Sequence, residues 1–159
     1  MASVPVGGQS AYSRGVTVVS PELRTFLTAG TRTGKVGFVA ADGRPLVAPV
    51  WFVLEGPDDA PELVFTTSTH SSKGRAIARD PRLAICVDDD RPPYAYVQVQ
   101  GVVTVSDDVD ELLRTATAIA RRYVGADRAE EFGRRNASPG ELVVRLRPTK
   151  IVADLNVIG

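Results

Sequence analysis

The residues best suited to chemistry lie between Thr66 and Arg82, in the run Thr-Thr-Ser-Thr-His-Ser-Ser-Lys-Gly-Arg-Ala-Ile-Ala-Arg-Asp-Pro-Arg. The run follows an apolar strand end, Leu63-Val64-Phe65, and from Ser72 reads as a short helix carrying Lys73, Arg75 and Arg79. Hydroxyls, free backbone N–H groups at a helix start and a nearby cation are what a phosphate needs. Asp80-Pro81 closes the helix, because proline pushes the residue before it out of the α region. The same residues would also suit an ordinary strand–turn–helix with a solvated basic face, so the rest of the chain must decide between the two.

Other reactive side chains offer less. His70 and Cys86 are the only histidine and cysteine, far apart in sequence, which argues against an ordinary zinc site or a Cys/His nucleophilic pair. Cys86 lies in the apolar run Leu83–Val87 and reads as a small buried hydrophobe, while His70 reads as a polar turn residue. Asp88-Asp89-Asp90 lacks the spaced ligands and glycine of a calcium loop and reads as a solvated loop, so no metal is expected. The segment Ala29–Val36 fails as a nucleotide-binding P-loop. It has Ala29 where glycine is required and Val36 where Ser or Thr is required, and no strand precedes it.

With 159 residues the chain is long enough for one domain with a real core. Acidic and basic residues balance at 19 each, so no global charge points to nucleic acid or to an anionic membrane. No apolar run approaches the roughly 20 residues that span a bilayer, and the first residues lack the features of a signal peptide. These features predict a cytoplasmic protein. Residues 1–19 read as a mobile arm and 20–159 as a single domain.

The elements that must position the Thr66–Arg82 stretch are mostly strands. Ser20-Pro21-Glu22 starts a short helix that Gly30 stops. Lys35–Ala41 and Pro45–Leu54 form a hairpin around Asp42-Gly43. The second of these runs is apolar on both alternating faces, and Pro49 within it cannot donate to a ladder, implying an edge, a bulge or a ligand lying against the strand. Glu62–Thr67 and Leu83–Val87 are further strands. Tyr94–Val105 is a long one, with Val97, Val99, Val103 and Val105 on a core face and Tyr94, Tyr96, Gln98 and Gln100 on an amphipathic one. Gly101 marks a bulge or a close approach. Ser106-Asp107-Asp108 opens a long packing helix with apolar positions from Val109 to Tyr123, and Asp127–Arg135 a shorter polar one. Glu141–Leu146 and Lys150–Leu155 close the chain around Pro148. A small antiparallel barrel with flanking helices accommodates this order better than a parallel α/β sheet does.

Several of these pieces, taken together, resemble one family. They are Asp42-Gly43-Arg44-Pro45 leading into Ala48–Phe52, Phe65-Thr66-Thr67, Lys73-Gly74-Arg75, Arg79–Arg82, Val87–Asp90, and Tyr94-Ala95-Tyr96 before Gly101. The chain is similar to the split β-barrel flavin/deazaflavin oxidoreductases related to pyridoxamine 5′-phosphate oxidase, most of all to the branch that uses coenzyme F420. The resemblance spans residues 20 to 155 and implies a mainly β fold, a six-stranded antiparallel split β-barrel of the FMN-binding type. It also implies a homodimer with cofactor sites at the interface. On this resemblance Thr66, Thr67 and Lys73 hold the cofactor phosphate, and the ring lies along Ala48, Pro49, Val50 and Trp51. Tyr94 and Tyr96 line the site from the partner chain. Arg75, with Arg79, meets the acidic tail of the cofactor. Some relatives have Asn where this chain has Ala76, so one polar contact is missing at that cofactor-binding position.

The activity this implies is hydride transfer from reduced F420 to an electron-poor double bond of a small molecule, such as an enone or a quinone. The alternatives are an FMN-binding oxidase or reductase of the same fold, and a cofactor carrier without turnover. No side chain stands out as a general acid.

Overall fold

The protein was analysed as a computed structural model, which describes residues 18–159. The expected arm therefore lies outside the described residues except for its last two, and the second of these, Val19, is already buried in the core. Helix α1 (Pro21–Thr28) begins as its sequence predicts, with the Ser20 Oγ accepting the Leu23 N–H at 3.2 Å and proline in the first turn. Just beyond its C-cap, Gly30 takes a left-handed φ of +58°.

The strands are β1 (Gly34–Val39), β2 (Pro45–Val50), β3 (Val53–Glu55), β4 (Glu62–Ser68), β5 (Arg82–Asp89), β6 (Ala95–Ser106) and β7 (Glu141–Asp154). They form one antiparallel sheet in the order β2-β1-β5-β6-β7-β4-β3. The two ends of that order, β2 and β3, are joined in the chain by Trp51-Phe52 alone. Three Cα steps reach at most about 11 Å, so the sheet must curl until its ends meet. That junction makes the sheet a barrel, and Phe52, fully buried, fills its interior beside Phe65, Ile85 and Leu146.

Seven strands replace the expected six. The run Pro45–Leu54 is not one strand, because its chain leaves the sheet at one edge and re-enters at the other. Conversely, Pro148 does not divide the closing segments, which are a single strand. A register shift between Gln100 and Gly101 absorbs the extra residue: Gln100 pairs with Lys150 and Gly101 with Pro148. A Cβ on Gly101 would collide with the Arg147 carbonyl, so only glycine permits this approach. The valine face of β6 is core at Val97, Val99 and Val103, but Val105 is 51 % exposed near the strand end.

Three further helices pack on the barrel: α2 (Ser72–Arg79), α3 (Val109–Val124) and α4 (Ala129–Asn136), the last entered through a short 3₁₀ turn. Asp108 caps α3 by accepting the Glu111 N–H at 2.7 Å, and the acids of its first turn and arginines of its last complement the helix dipole. Its buried face carries Leu112, Ala116, Ile119 and Ala120. Among the described residues, no helix is long and apolar enough to cross a membrane.

Candidate functional site

The turn between β4 and α2 is held by its own hydroxyls. Ser71 Oγ accepts the Gly74 N–H at 2.9 Å and donates to the Ser68 carbonyl at 2.8 Å. Its single proton is thereby used, so Thr67, 3.0 Å away, is the donor in the Thr67–Ser71 hydrogen bond. Thr67 is 5 % exposed. It supports the helix cap from behind, whereas Thr66 points to the other side of the strand. Gly74 lets α2 seat on the end of β4, because a Cβ there would strike the Ser68 carbonyl oxygen.

This seating brings Lys73 and Thr66 to a cavity of about 310 Å³. Pro49, Val50 and Trp51, at the end of edge strand β2, form one wall. Ala116 and Ile119 of α3 and Asn136 of α4 complete it. Five residues singled out from the sequence thus meet in one place: Pro49, Val50, Trp51, Thr66 and Lys73.

Lys73 is half-buried, and no carboxylate of the described residues lies within ion-pair distance of it. Burial pushes its pKa below the ordinary lysine value, a shift only partly opposed by the charge of Glu141. Glu141 faces the same balance in reverse. Burial raises its pKa, and Lys73 offsets part of the rise. Glu141 opens β7 opposite Ser68. The cavity therefore offers a half-buried ammonium group with no carboxylate of the described residues within ion-pair distance.

The aromatic wall is fixed from α3. Trp51 stacks on Tyr123 with ring centroids 5.0 Å apart and planes 2° from parallel. Tyr123 donates its hydroxyl to the Arg32 carbonyl at 2.7 Å and accepts the Phe52 N–H at 3.3 Å. Arg122 donates to the carbonyls of Leu27 and Phe52 at 2.8 Å and of Gly30 at 3.0 Å, with its guanidinium over the Phe52 ring. The barrel's two-residue junction is thus tied to both α3 and the end of α1.

The remaining sequence candidates do not line this cavity. Ala48 is partly buried against the main core. Ala76 is core and borders a separate groove beside Phe38 and Leu46. Arg75 is exposed and donates to the His70 carbonyl, while Arg79 donates to the Val39 carbonyl at 3.0 Å. Tyr94 is 42 % exposed, with φ +54°, one residue ahead of β6. Tyr96 lies in β6 between Asp88 and Asp154. The acidic run is paired with cations: Asp88 with Lys35, and Asp89 with Arg32 and Arg91. Hydrogen bonds from Arg91 and Arg32 hold the Asp89 carboxyl well below the usual carboxylate range. No group of three metal-ligating side chains occurs among the described residues.

Sequence reasoning missed Ala116, Ile119, Tyr123 and Asn136. The period of α3 marked the first three as packing positions, which they are, but a one-dimensional pattern does not say that part of a packing face borders a cavity. Chemically, the cavity can hold an anionic group at Lys73 and Thr66 and a flat apolar body against Pro49 and Trp51. Among the described residues Lys73 is the sole titratable group lining it, so they bring no evident general base or nucleophile to the cavity.

Comparison with known proteins agrees with this architecture. A family model described as pyridoxamine 5′-phosphate oxidase matches residues 19–153. No curated protein sequence gives a match. Among solved structures, a conserved hypothetical protein from Mycobacterium tuberculosis superposes with a TM-score of 0.74 at 20 % identity, over 96 % of this chain and 91 % of that one. An F420 reductase gives 0.61 at 28 % identity, over 83 % of this chain and 98 % of that one. A haem storage protein from Vibrio cholerae gives 0.67 at 16 % identity, over 89 % and 99 % respectively. The first and third of these likenesses are likenesses of fold. With a family model matched along nearly all of the described chain, the protein belongs to the pyridoxamine 5′-phosphate oxidase family.

Proposed function

We propose that the protein is a cytoplasmic, homodimeric oxidoreductase that uses coenzyme F420 to reduce an electron-poor double bond in a small molecule. The observation that carries this reading is the half-buried Lys73, with no carboxylate of the described residues within ion-pair distance, beside the apolar slot of Pro49 and Trp51. An ammonium group held in such surroundings is unfavourable until an anion joins it. The 28 % identity to an F420 reductase supports the choice of coenzyme. At about 310 Å³ the cavity lies at the small end of ligand pockets, which suits a site that a second subunit completes.

When bound, the reduced deazaflavin supplies the hydride. The chain's own residues bind and orient. Lys73 and Thr66 hold the phosphate, Thr67 stiffens the turn behind them, and Pro49, Val50 and Trp51 support the ring with Ala48 behind them. Tyr94 and Tyr96, remote from the cavity within one chain, reach the ring of the partner's site. Arg75, exposed on α2, meets the acidic tail. Proton delivery falls to solvent or to one of these tyrosines.

FMN shares the ring system and phosphate that this cavity suits and is the second reading. The haem storage protein from Vibrio cholerae, at 16 % identity, is a likeness of fold and adds no third reading. Turnover is tested by mixing the protein with reduced F420 and a panel of enones and quinones. Acceptor-dependent oxidation of the coenzyme is expected. Tight binding without oxidation by any acceptor would identify a carrier instead.

A further inference from the structure

Asn136 is the one carboxamide lining the cavity, and its side chain has no hydrogen-bond partner among the described residues. Its backbone is held from both sides. Gly133, one turn earlier, packs so closely on Thr117 of α3 that a Cβ would overlap the threonine side chain, and it accepts the Ala137 N–H at 2.9 Å. After Asn136 the chain turns, with the Glu141 N–H donating to the Ser138 carbonyl at 3.1 Å. The Gly140 carbonyl then accepts the Thr69 N–H at 2.8 Å, clamping this connection to the turn that carries Lys73. An amide on so fixed a backbone is placed by the fold, and its part-exposed side chain, with no partner among the described residues, is free to meet a ligand.

Its neighbours in the cavity are mainly apolar (Pro49, Val50, Trp51, Ala116, Ile119); of the two other polar side chains, Lys73 can only donate and Thr66 offers a single hydroxyl. A carboxamide differs from both in presenting one acceptor and one donor side by side. That pattern is complementary to an imide edge, where a ring N–H lies next to a carbonyl. Flavins and deazaflavins both carry this edge on their pyrimidine ring, at the end of the tricycle away from the benzenoid edge.

Resting on the flavin-type reading above, we propose that Asn136 is the residue that reads the imide edge of the bound ring, accepting from its N3–H and donating to the adjacent carbonyl. Lys73 and Asn136 then divide recognition: the first selects for a phosphate, the second for the ring. A phosphorylated ligand lacking the imide would satisfy only half the site.

The test uses the full-length protein and follows binding by fluorescence, with F420, FMN and the N3-methyl analogue of each as probes. Wild type should bind the parent compound about tenfold more tightly than its N3-methyl analogue, the worth of one well-made hydrogen bond. Asn136→Leu should bind parent and analogue equally. Lys73→Met should weaken both and keep the discrimination, which separates ring recognition from phosphate recognition. Equal binding of parent and analogue by wild type overturns the assignment without recourse to any variant, as does discrimination that persists in Asn136→Leu or in Asn136→Ser. If wild type binds neither F420 nor FMN, the flavin-type reading itself fails and the assignment falls with it.

Discussion

Replacing Lys73 with methionine should weaken cofactor binding by about 1.5–3 kcal/mol, the usual worth of a charge-assisted hydrogen bond, while making the cofactor-free protein more stable. The two effects have one cause. Burial depresses the Lys73 pKa, so the folded state resists the proton that the unfolded chain readily accepts. Between the depressed folded pKa and the ordinary lysine value, the unfolded state binds more protons, and stability rises with pH through that window. Below it, the folded protein carries the cost of a charged, half-buried ammonium group. Methionine keeps most of the aliphatic stem and removes that cost. Thermal melts of the apo-protein should therefore move upward in the variant while titration shows the loss of affinity. Affinity of wild type for a phosphate-bearing ligand should decline as pH rises through the Lys73 pKa, at a lower pH than an exposed lysine would give. Unchanged affinity in Lys73→Met would place the phosphate elsewhere.

Arg122→Met should cost about 3–4 kcal/mol of stability, because three carbonyls lose a charged donor together. One of them belongs to Phe52, in the two-residue link that closes the barrel, and the others hold the end of α1 against α3. Loosening this link should also disturb the Trp51–Tyr123 stack. Trp51 is the only tryptophan, so its emission reports on that wall directly. Urea denaturation should show the lost stability, and the variant's native emission should shift before global unfolding. Arg121→Met, an exposed neighbour with no ion pair among the described residues, is the control and should change stability by less than about 0.5 kcal/mol.

The elements whose signals are local were legible in the sequence. Ser20-Pro21, the Asp42-Gly43 turn, the Asp108 start of α3 and the close approach at Gly101 each depend on a few neighbouring residues, and each lies where its chemistry demands. The strand count was not, because the break at Trp51-Phe52 has no breaker residue; it exists only because the sheet closes on itself. Pro148 misled in the opposite sense, since the bulge at Thr149, beside it in β7 and opposite Gln100-Gly101, lets the strand run on through it. At the site, alternation along β4 was visible but its sense was not. Thr66 and Thr67 look equivalent in sequence, and only the core on one side and the cavity on the other distinguish them. Arg75 and Ala76 follow Lys73 in the chain, yet the turn of α2 carries them away from the cavity, to solvent and to the core respectively. Asn136 enters from a helix more than sixty residues downstream, and nothing local announces it.

The most direct test of the proposed function is titration of the purified protein with F420 and, separately, with FMN, following Trp51 fluorescence. Trp51 forms part of the cavity wall, so a ring laid against it should quench its emission. Saturable quenching by F420 is expected at lower concentration than by FMN. Micromolar binding of FMN with no binding of F420 would contradict it.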